Sequence, residues 1–327
     1  MAEDIRTRLK KQQYGLIGKH TAVKICTWTK KSITNNDVCY KQKFYGINSH
    51  LCCQMTPSLN YCQNSCIFCW RTFSDTEGFN QMPKEVTDDP KEIIDKCISA
   101  QIKLLSGMGG NKKTDMEKFK ESKNPIHFAI SLSGEPTLYP YLSELIKELH
   151  KRKKTTFLVS NGLAPEVLET IEPPTQLYIS IDAPNEELFK KIDVPKLKDG
   201  WQRLKKTLGI LKNIKTRTVL RITLIKGIND VHPEQYAKLI TLSDADFVEV
   251  KAYMFVGASR QRLSLSNMPR HPEVMEFAKE ITKYCDYSVI DEKKESRVVL
   301  LGSNKKKTKH SISDRKMTPP KYSKKST

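Results

Sequence analysis

Cys62, Cys66 and Cys69 fall within eight positions in the run Cys62-Gln-Asn-Ser-Cys66-Ile-Phe-Cys69-Trp70, close enough for one metal group to gather all three thiols. Thiolates are soft ligands, so that group is iron or zinc. No fourth cysteine follows at ferredoxin spacing, and three thiols would leave one iron of a four-iron cluster without a protein ligand. An open iron can bind a substrate. Zinc is the plain alternative.

The CxxxCxxC spacing, with an aromatic residue before the last cysteine, resembles the radical S-adenosylmethionine superfamily. The resemblance implies that the open iron chelates the methionine end of S-adenosylmethionine and that electron transfer splits the sulfonium. A 5′-deoxyadenosyl radical results, strong enough to take hydrogen from an unactivated carbon. Ser133-Gly134-Glu135-Pro136 resembles the superfamily segment that bonds the methionine ammonium, and Gly134 permits close backbone approach. Asn161, Ser180, Asp182 and Arg221 are polar candidates for the methionine carboxylate and the ribose. Each also has an ordinary reading as an Asn-Gly turn, a helix cap or a surface ion pair.

These residues need a frame that holds them together. Compact apolar runs alternate with longer amphipathic ones from about Cys62 to Gly302, the pattern of repeated strand-helix units around a parallel sheet. Strands are expected at Ile126 to Leu132, Thr156 to Ser160, Leu177 to Ile181, Val219 to Ile225 and Phe247 to Ala252. Helices are expected near Pro90 to Leu105, Tyr141 to Lys151, Pro165 to Ile171, Trp201 to Leu211, Pro233 to Thr241 and Pro272 to Tyr284, several with proline at their start. One further strand should lead into the cysteine loop. About six units fall short of the eight of a closed barrel, so the expected fold is α/β, a partial (β/α)6 TIM-like barrel. Its ligands collect where the strands end, and there the candidate residues lie.

Three zones divide the chain: 1–60, a cysteine-bearing extension; 61–302, the core; 303–327, a basic tail expected to be disordered because it has almost nothing apolar to bury. The formal charge is +19. The tail holds nine Lys and Arg against one acid, a net of +8 that leaves +11 on the rest. Such an excess draws polyanions, nucleic acid first among them, although solvated lysines on helix faces would give the same count. The basic segment from Phe255 to Arg262 follows the last expected core strand and could hold phosphates, with Trp70 or Tyr253 stacking on a base. Nine cysteines in a chain without an apolar leader point to a reducing, cytoplasmic setting. No apolar run is long enough to cross a bilayer, so no membrane partner is expected.

Cys26, Cys39 and Cys52 are separated by twelve residues each time. Spacing alone fits buried small apolar residues equally well, the reading given to Cys97 and Cys285. The run Cys52-Cys53-Gln54-Met55-Thr56-Pro57-Ser58-Leu59 ahead of Cys62, with Cys69-Trp70-Arg71, resembles the 4-demethylwybutosine synthase family of radical enzymes. Ser131 to Pro136, Thr175 to Tyr178, Lys190 to Asp193, Trp201 to Arg203, Arg221 to Leu224 and Val248 to Lys251 carry the likeness along roughly Cys26 to Tyr284.

That resemblance implies a carbon-carbon lyase-class enzyme that condenses N1-methylguanosine at position 37 of phenylalanine tRNA with pyruvate, giving tricyclic 4-demethylwyosine. It implies that Cys26, Cys39 and Cys52 bind a second [4Fe-4S] cluster whose open iron can chelate pyruvate. It also implies that Lys41 forms a Schiff base with pyruvate, with Lys43 as the spare candidate; a desolvated amine beside a metal site has the lowered pKa this chemistry needs. The partners implied are the anticodon loop of that tRNA, pyruvate and an external electron donor, a ferredoxin or flavodoxin, since no flavodoxin-like domain is expected here. Cys53 beside Cys52 leaves open which of the two binds iron. A glycyl-radical activase and a non-catalytic zinc module for RNA are the competing readings.

Overall fold

The computed structural model describes residues 5–73, 76–306 and 311–312. Its strands, in chain order, are β1 (Gly15–Ile17), β2 (Thr21–Val23), β3 (Cys52–Thr56), β4 (His127–Ile130), β5 (Thr155–Ser160), β6 (Gln176–Ser180), β7 (Arg217–Leu224), β8 (Phe247–Ala252), β9 (Tyr287–Lys293) and β10 (Val298–Ser303). They form one ten-stranded sheet in the order β1-β2-β3-β4-β5-β6-β7-β8-β10-β9. The six strands from β3 to β8 run parallel, and the two hairpins at the ends are antiparallel. Since β1 and β9 are the two ends of the order, the barrel is open.

The helices are α1 (Ile5–Lys11), α2 (Thr27–Ile33), α3 (Tyr40–Tyr45), α4 (Pro90–Leu105), α5 (Met116–Glu121), α6 (Leu142–Lys151), α7 (Pro165–Thr170), α8 (Glu186–Ile192), α9 (Gly200–Ile210), α10 (Pro233–Ser243) and α11 (His271–Thr282). Helix α4 shows why these segments coil where they do. Asp89 caps it by accepting from the Lys91 and Glu92 amides, and Pro90 takes the first helical position, where a missing N–H costs nothing. In α6, Leu142, Leu145, Ile146 and Leu149 recur at helical spacing and are all buried. They pack with Phe128, Ile130 and Leu158 in the core between sheet and helices.

The strands are buried on both faces, which explains their near-continuous apolar character. A second core lies inside the barrel. There α3 sends Tyr40, Phe44 and Tyr45 against Phe157, Tyr178, Val219 and Phe247. Along β6, β7 and β8 the register sets Tyr178, Val219 and Phe247 level with one another, and Ser180, Arg221 and Glu249 level one step onward. Thr223 and Lys251 lie level one step beyond that, toward the strand ends. Helix α3 therefore closes the lower part of the barrel, and a polar layer begins above its apolar plug.

The six-unit parallel core is the expected one, and the strand into the cysteine loop is β3. Several elements were not read from sequence: α1 to α3, α5, α8 and the two hairpins. Residues 1–60 contribute β1, β2 and β3 to the same sheet as the rest. Of the tail expected to be disordered, Ser303 ends β10, and Ile312 donates its amide to the Tyr45 carbonyl and packs on the inner core. The remainder, 307–310 and 313–327, lies outside the described residues. Among the described residues no helix is long and apolar enough to cross a membrane.

Candidate functional site

The three clustered cysteines sit on the loop that leaves β3. Cys62, Cys66 and Cys69 are all part-exposed and none is in a disulfide. The Cys69 amide donates to the Cys66 carbonyl, a turn that folds the last two thiols onto one side. Burial pushes the Cys62 thiol up to about 11 and the Cys66 thiol further, each raised again by the other cysteines of the loop. Unligated, they are neutral; a metal would have to displace their protons. Among the described residues no three Cys, His, Asp or Glu side chains converge as they would around one ion. A cluster does not require that, since each of its irons takes a separate thiolate. The donor set therefore fits such a cluster.

Long-range contacts hold this loop. Gly134, at φ +72°, lies so close that a Cβ there would stand 1.8 Å from the Ser58 carbonyl oxygen. The Glu135 amide donates to the Tyr61 carbonyl at 2.7 Å. From the far side of the barrel, Arg262 donates through Nε to the Ile67 carbonyl at 3.0 Å and through Nη2 to the Cys69 carbonyl. Its guanidinium lies 4.1 Å from the Phe73 ring centre. The Cys66 thiol donates to Asp193 Oδ1 at 3.5 Å, and burial beside Asp182 holds the Asp193 carboxyl well above the usual range.

The residues expected to hold S-adenosylmethionine occupy the strand ends around this loop. Glu135 is 2% exposed. Its Oε1 accepts from the Ser160 and Thr137 hydroxyls and the Thr137 amide, and its Oε2 from the Asn161 amide. It ties β4 to β5 while Oε2 keeps a lone pair. Asn161 donates to Gln63 and caps its own turn. Asp182 accepts from the Thr223 amide at 2.7 Å, and burial raises its carboxyl to about 6. Ser180 lies on the barrel's inner face, level with Arg221.

Arg221 is placed elsewhere. It donates to Glu249 Oε2 at 2.9 and 3.1 Å and to the Tyr40 hydroxyl at 2.8 Å, and lies 4.5 Å from the Tyr178 ring centre. Glu249 also accepts from the Tyr40 and Tyr45 hydroxyls, so one buried carboxylate ties α3 to the barrel wall. Arg221 thus belongs with the amino-terminal cysteines more than with Asn161 and Asp182.

Those cysteines do come together. Cys26 and Cys39 cap the amino ends of α2 and α3, and Cys52 opens β3. Burial lifts the Cys39 and Cys52 thiols to about 12, and in both Cys26 adds to the rise. Lys41 lies beside them, its amine 4.6 Å from the Tyr178 ring centre and 4.9 Å from that of Phe157. Burial, then Arg221, lowers its pKa. Lys43 points outward to Asp291 at 2.7 Å and is half exposed, so it is not brought to this group.

Four functional candidates escaped the sequence reading: Glu249, Lys251, Asp193 and Arg262 in its clamping role. The first two could have been found, because polar residues at alternate positions of a buried strand mark an inner face. Burial lowers the Lys251 amine to about 8, and it donates to the Ser296 carbonyl at 3.1 Å. Tyr253 is 1% exposed and bonded to Ser259, so it offers no ring at the mouth, whereas Trp70 is 41% exposed. Trp70 borders a cavity of about 290 Å³ with Arg8, Tyr14, Lys24, Arg71 and Ser133.

Two family models match consecutive stretches: the radical SAM superfamily over residues 56–240 and wyosine base formation over 242–303. The S-adenosyl-L-methionine-dependent tRNA 4-demethylwyosine synthase of Pyrococcus horikoshii is 49% identical over 306 residues, 92% of this chain and 89% of that protein. The protein of the same name from Methanocaldococcus jannaschii is 44% identical, over 93% of this chain and 97% of its own length. A solved structure described as "Structure of TYW1 with a lysine-pyruvate adduct bound" superposes with a TM-score of 0.84 at 42% identity, covering 94% of this chain and 97% of that one. The "Crystal structure of archaeal TYW1" gives 0.79 at 39% identity, covering 95% and 100%. The partly closed barrel, the clamped cysteine loop and these likenesses along nearly the whole chain lead to one conclusion: the chain belongs to the radical S-adenosylmethionine tRNA 4-demethylwyosine synthases.

Proposed function

We propose that this protein condenses N1-methylguanosine at position 37 of phenylalanine tRNA with pyruvate to form 4-demethylwyosine, a carbon-carbon lyase reaction in which Lys41 holds pyruvate as an imine. The observation that carries this reading is the setting of the Lys41 amine. It is enclosed, faces two aromatic rings, lies beside Cys26, Cys39 and Cys52, and has neither a hydrogen bond nor an ion pair among the described residues. A lysine in such a place keeps a free lone pair near neutral pH and can attack a ketone carbon. The lysine-pyruvate adduct of the similar structure supports the assignment.

Cys62, Cys66 and Cys69 would hold a [4Fe-4S] cluster that, with S-adenosylmethionine bound and an electron from a ferredoxin or flavodoxin, supplies a 5′-deoxyadenosyl radical able to take hydrogen from the N-methyl carbon. Backbone and side chains at Ser133, Gly134 and Glu135 would receive the methionine ammonium, with Oε2 of Glu135 as the anionic acceptor. Asn161, Ser180 and Asp182 would take the carboxylate and ribose hydroxyls at adjacent strand ends. Cys26, Cys39 and Cys52 would hold a second cluster facing pyruvate. Trp70, exposed beside the last loop cysteine, would stack on the extruded base.

The test is an anaerobic assay of the reconstituted protein with reductant, S-adenosylmethionine, pyruvate and methylated tRNA, read by mass analysis of nucleosides. Formation of the tricyclic nucleoside only when pyruvate is present supports the reading. Borohydride trapping with labelled pyruvate should mark the peptide containing Lys41, and label on no lysine refutes the imine.

A further inference from the structure

The interior of the barrel has an unbalanced charge. Lys41, Arg221 and Lys251 line it, and Glu249 stands among them. That one carboxylate is already committed to Arg221, Tyr40 and Tyr45. Neither lysine pairs with a carboxylate among the described residues; the Lys251 amine has only the Ser296 carbonyl. Two ammonium groups without counterions, inside a protein, are costly unless something anionic joins them.

The space they face is internal. Arg221, Lys251, Cys26, Cys39 and Cys52 are each part-exposed, yet Cys39, Cys52, Arg221 and Lys251 are all enclosed deeply enough for burial to shift their titration. Surface that is reachable but walled in on every side belongs to a chamber. Arg221 links the two amines across it. Its guanidinium shares the Tyr178 ring with Lys41, and it donates to the hydroxyl of Tyr40, whose ring centre is 5.8 Å from the Lys251 amine. Register places Lys251 one step nearer the strand ends than Arg221 and Glu249, on the side from which a substrate would enter.

We propose that Lys251 forms a carboxylate subsite, gripping the acid group of a 2-oxo acid while its ketone carbon faces Lys41. This rests on the assignment of Lys41 as the imine-forming lysine and adds a second residue, with a distinct task, to the recognition of the three-carbon substrate. A single ammonium beyond the reacting lysine explains how the chamber selects an oxo acid over a neutral ketone. Lys251 does not enter the covalent step. Imine formation joins the Lys41 nitrogen to the ketone carbon and releases the ketone oxygen as water, and the carboxylate remains ionised throughout.

The test compares borohydride trapping of labelled pyruvate and labelled methyl pyruvate by the anaerobically reconstituted wild-type protein, Lys251→Met and Lys251→Arg, with iron content measured for each. The wild type should trap pyruvate at concentrations about tenfold or more below those needed for the ester, the effect of one charge-assisted hydrogen bond. Lys251→Met should lose that preference at unchanged iron content, and Lys251→Arg, which keeps the charge, should retain most of it. If Lys251→Met or Lys251→Arg discriminates against the ester as the wild type does while the other variant does not fold, the folded variant decides. A preference surviving in Lys251→Met, or abolished in a folded Lys251→Arg, overturns the subsite while leaving Lys41 in place. If the wild type traps neither compound, the imine reading falls and the subsite falls with it.

Discussion

Arg262 donates to the backbone carbonyl of Cys69 from 193 residues away in the chain, and its Nε reaches Ile67 on the same loop. The segment that follows β8 is thereby fastened to the loop that would hold the cluster, with the guanidinium laid against Phe73. Two carbonyls three bonds of loop apart are matched by a planar fork, which a lysine ammonium cannot reproduce.

Arg262→Lys and Arg262→Ala should both therefore fold but hold the loop loosely. Expected are slower reconstitution of the loop cluster and a fall in 5′-deoxyadenosine formation of about tenfold, the effect of losing charge-assisted hydrogen bonds. The electron paramagnetic resonance signal of the reduced cluster should broaden in both variants. Wild-type spectra and rates in Arg262→Lys would refute the fork.

Cys52 and Cys53 face opposite sides of β3, because side chains alternate along a strand. Cys53 is fully buried in the outer core with Cys97, while Cys52 turns inward to Cys26, Cys39 and Lys41. Cys52→Ala should lower iron from about eight to about four per chain, given two four-iron clusters. Cys53→Ala should keep its iron and lose about 1 kcal/mol of stability to the small void left behind. Iron analysis and thermal melts of the two variants check both statements.

The Arg221–Glu249 pair is buried and hydrogen-bonded on both partners. Removing one member strands the other, at a cost of about 3 to 5 kcal/mol. Glu249→Gln should consequently destabilise the protein more than the double change Arg221→Met with Glu249→Met does relative to the sum of its single changes. Denaturant unfolding of the four proteins in a double-mutant cycle measures the coupling.

His127 accepts the Asn48 amide on Nε2 and bonds Thr155 through Nδ1, with burial lowering its pKa to about 4. The folded state thus binds a proton less readily than the unfolded chain. Its contribution is complete above the unfolded value of about 6.5 and is lost as the pH falls toward 4, reaching about 3 kcal/mol there. His127→Asn should flatten the stability profile between pH 4 and 6.5. An unchanged slope in that window would show that other groups carry the acid sensitivity.

The chemistry of the cysteine loop and the order of the six parallel units were legible in the sequence because both are local. Three thiols within eight positions declare a metal group by spacing, and Phe128, Leu158 or Leu177 declare a strand by the apolar run around each. Gly134 announced a close approach, and the neighbouring Ser58 carbonyl confirms it. Tertiary structure decided everything that depends on which side of a strand a residue faces and what crosses the barrel to meet it. It turned Cys52 inward and Cys53 outward, enclosed Lys41 and left Lys43 on the surface, and moved Arg221 into the network around Glu249. It also brought Arg262 to Cys69 and Lys251 into the chamber. Those pairings join residues remote in the chain, and their energies arise only once the sheet has closed far enough to exclude water between them, so spacing along the chain carries no trace of them.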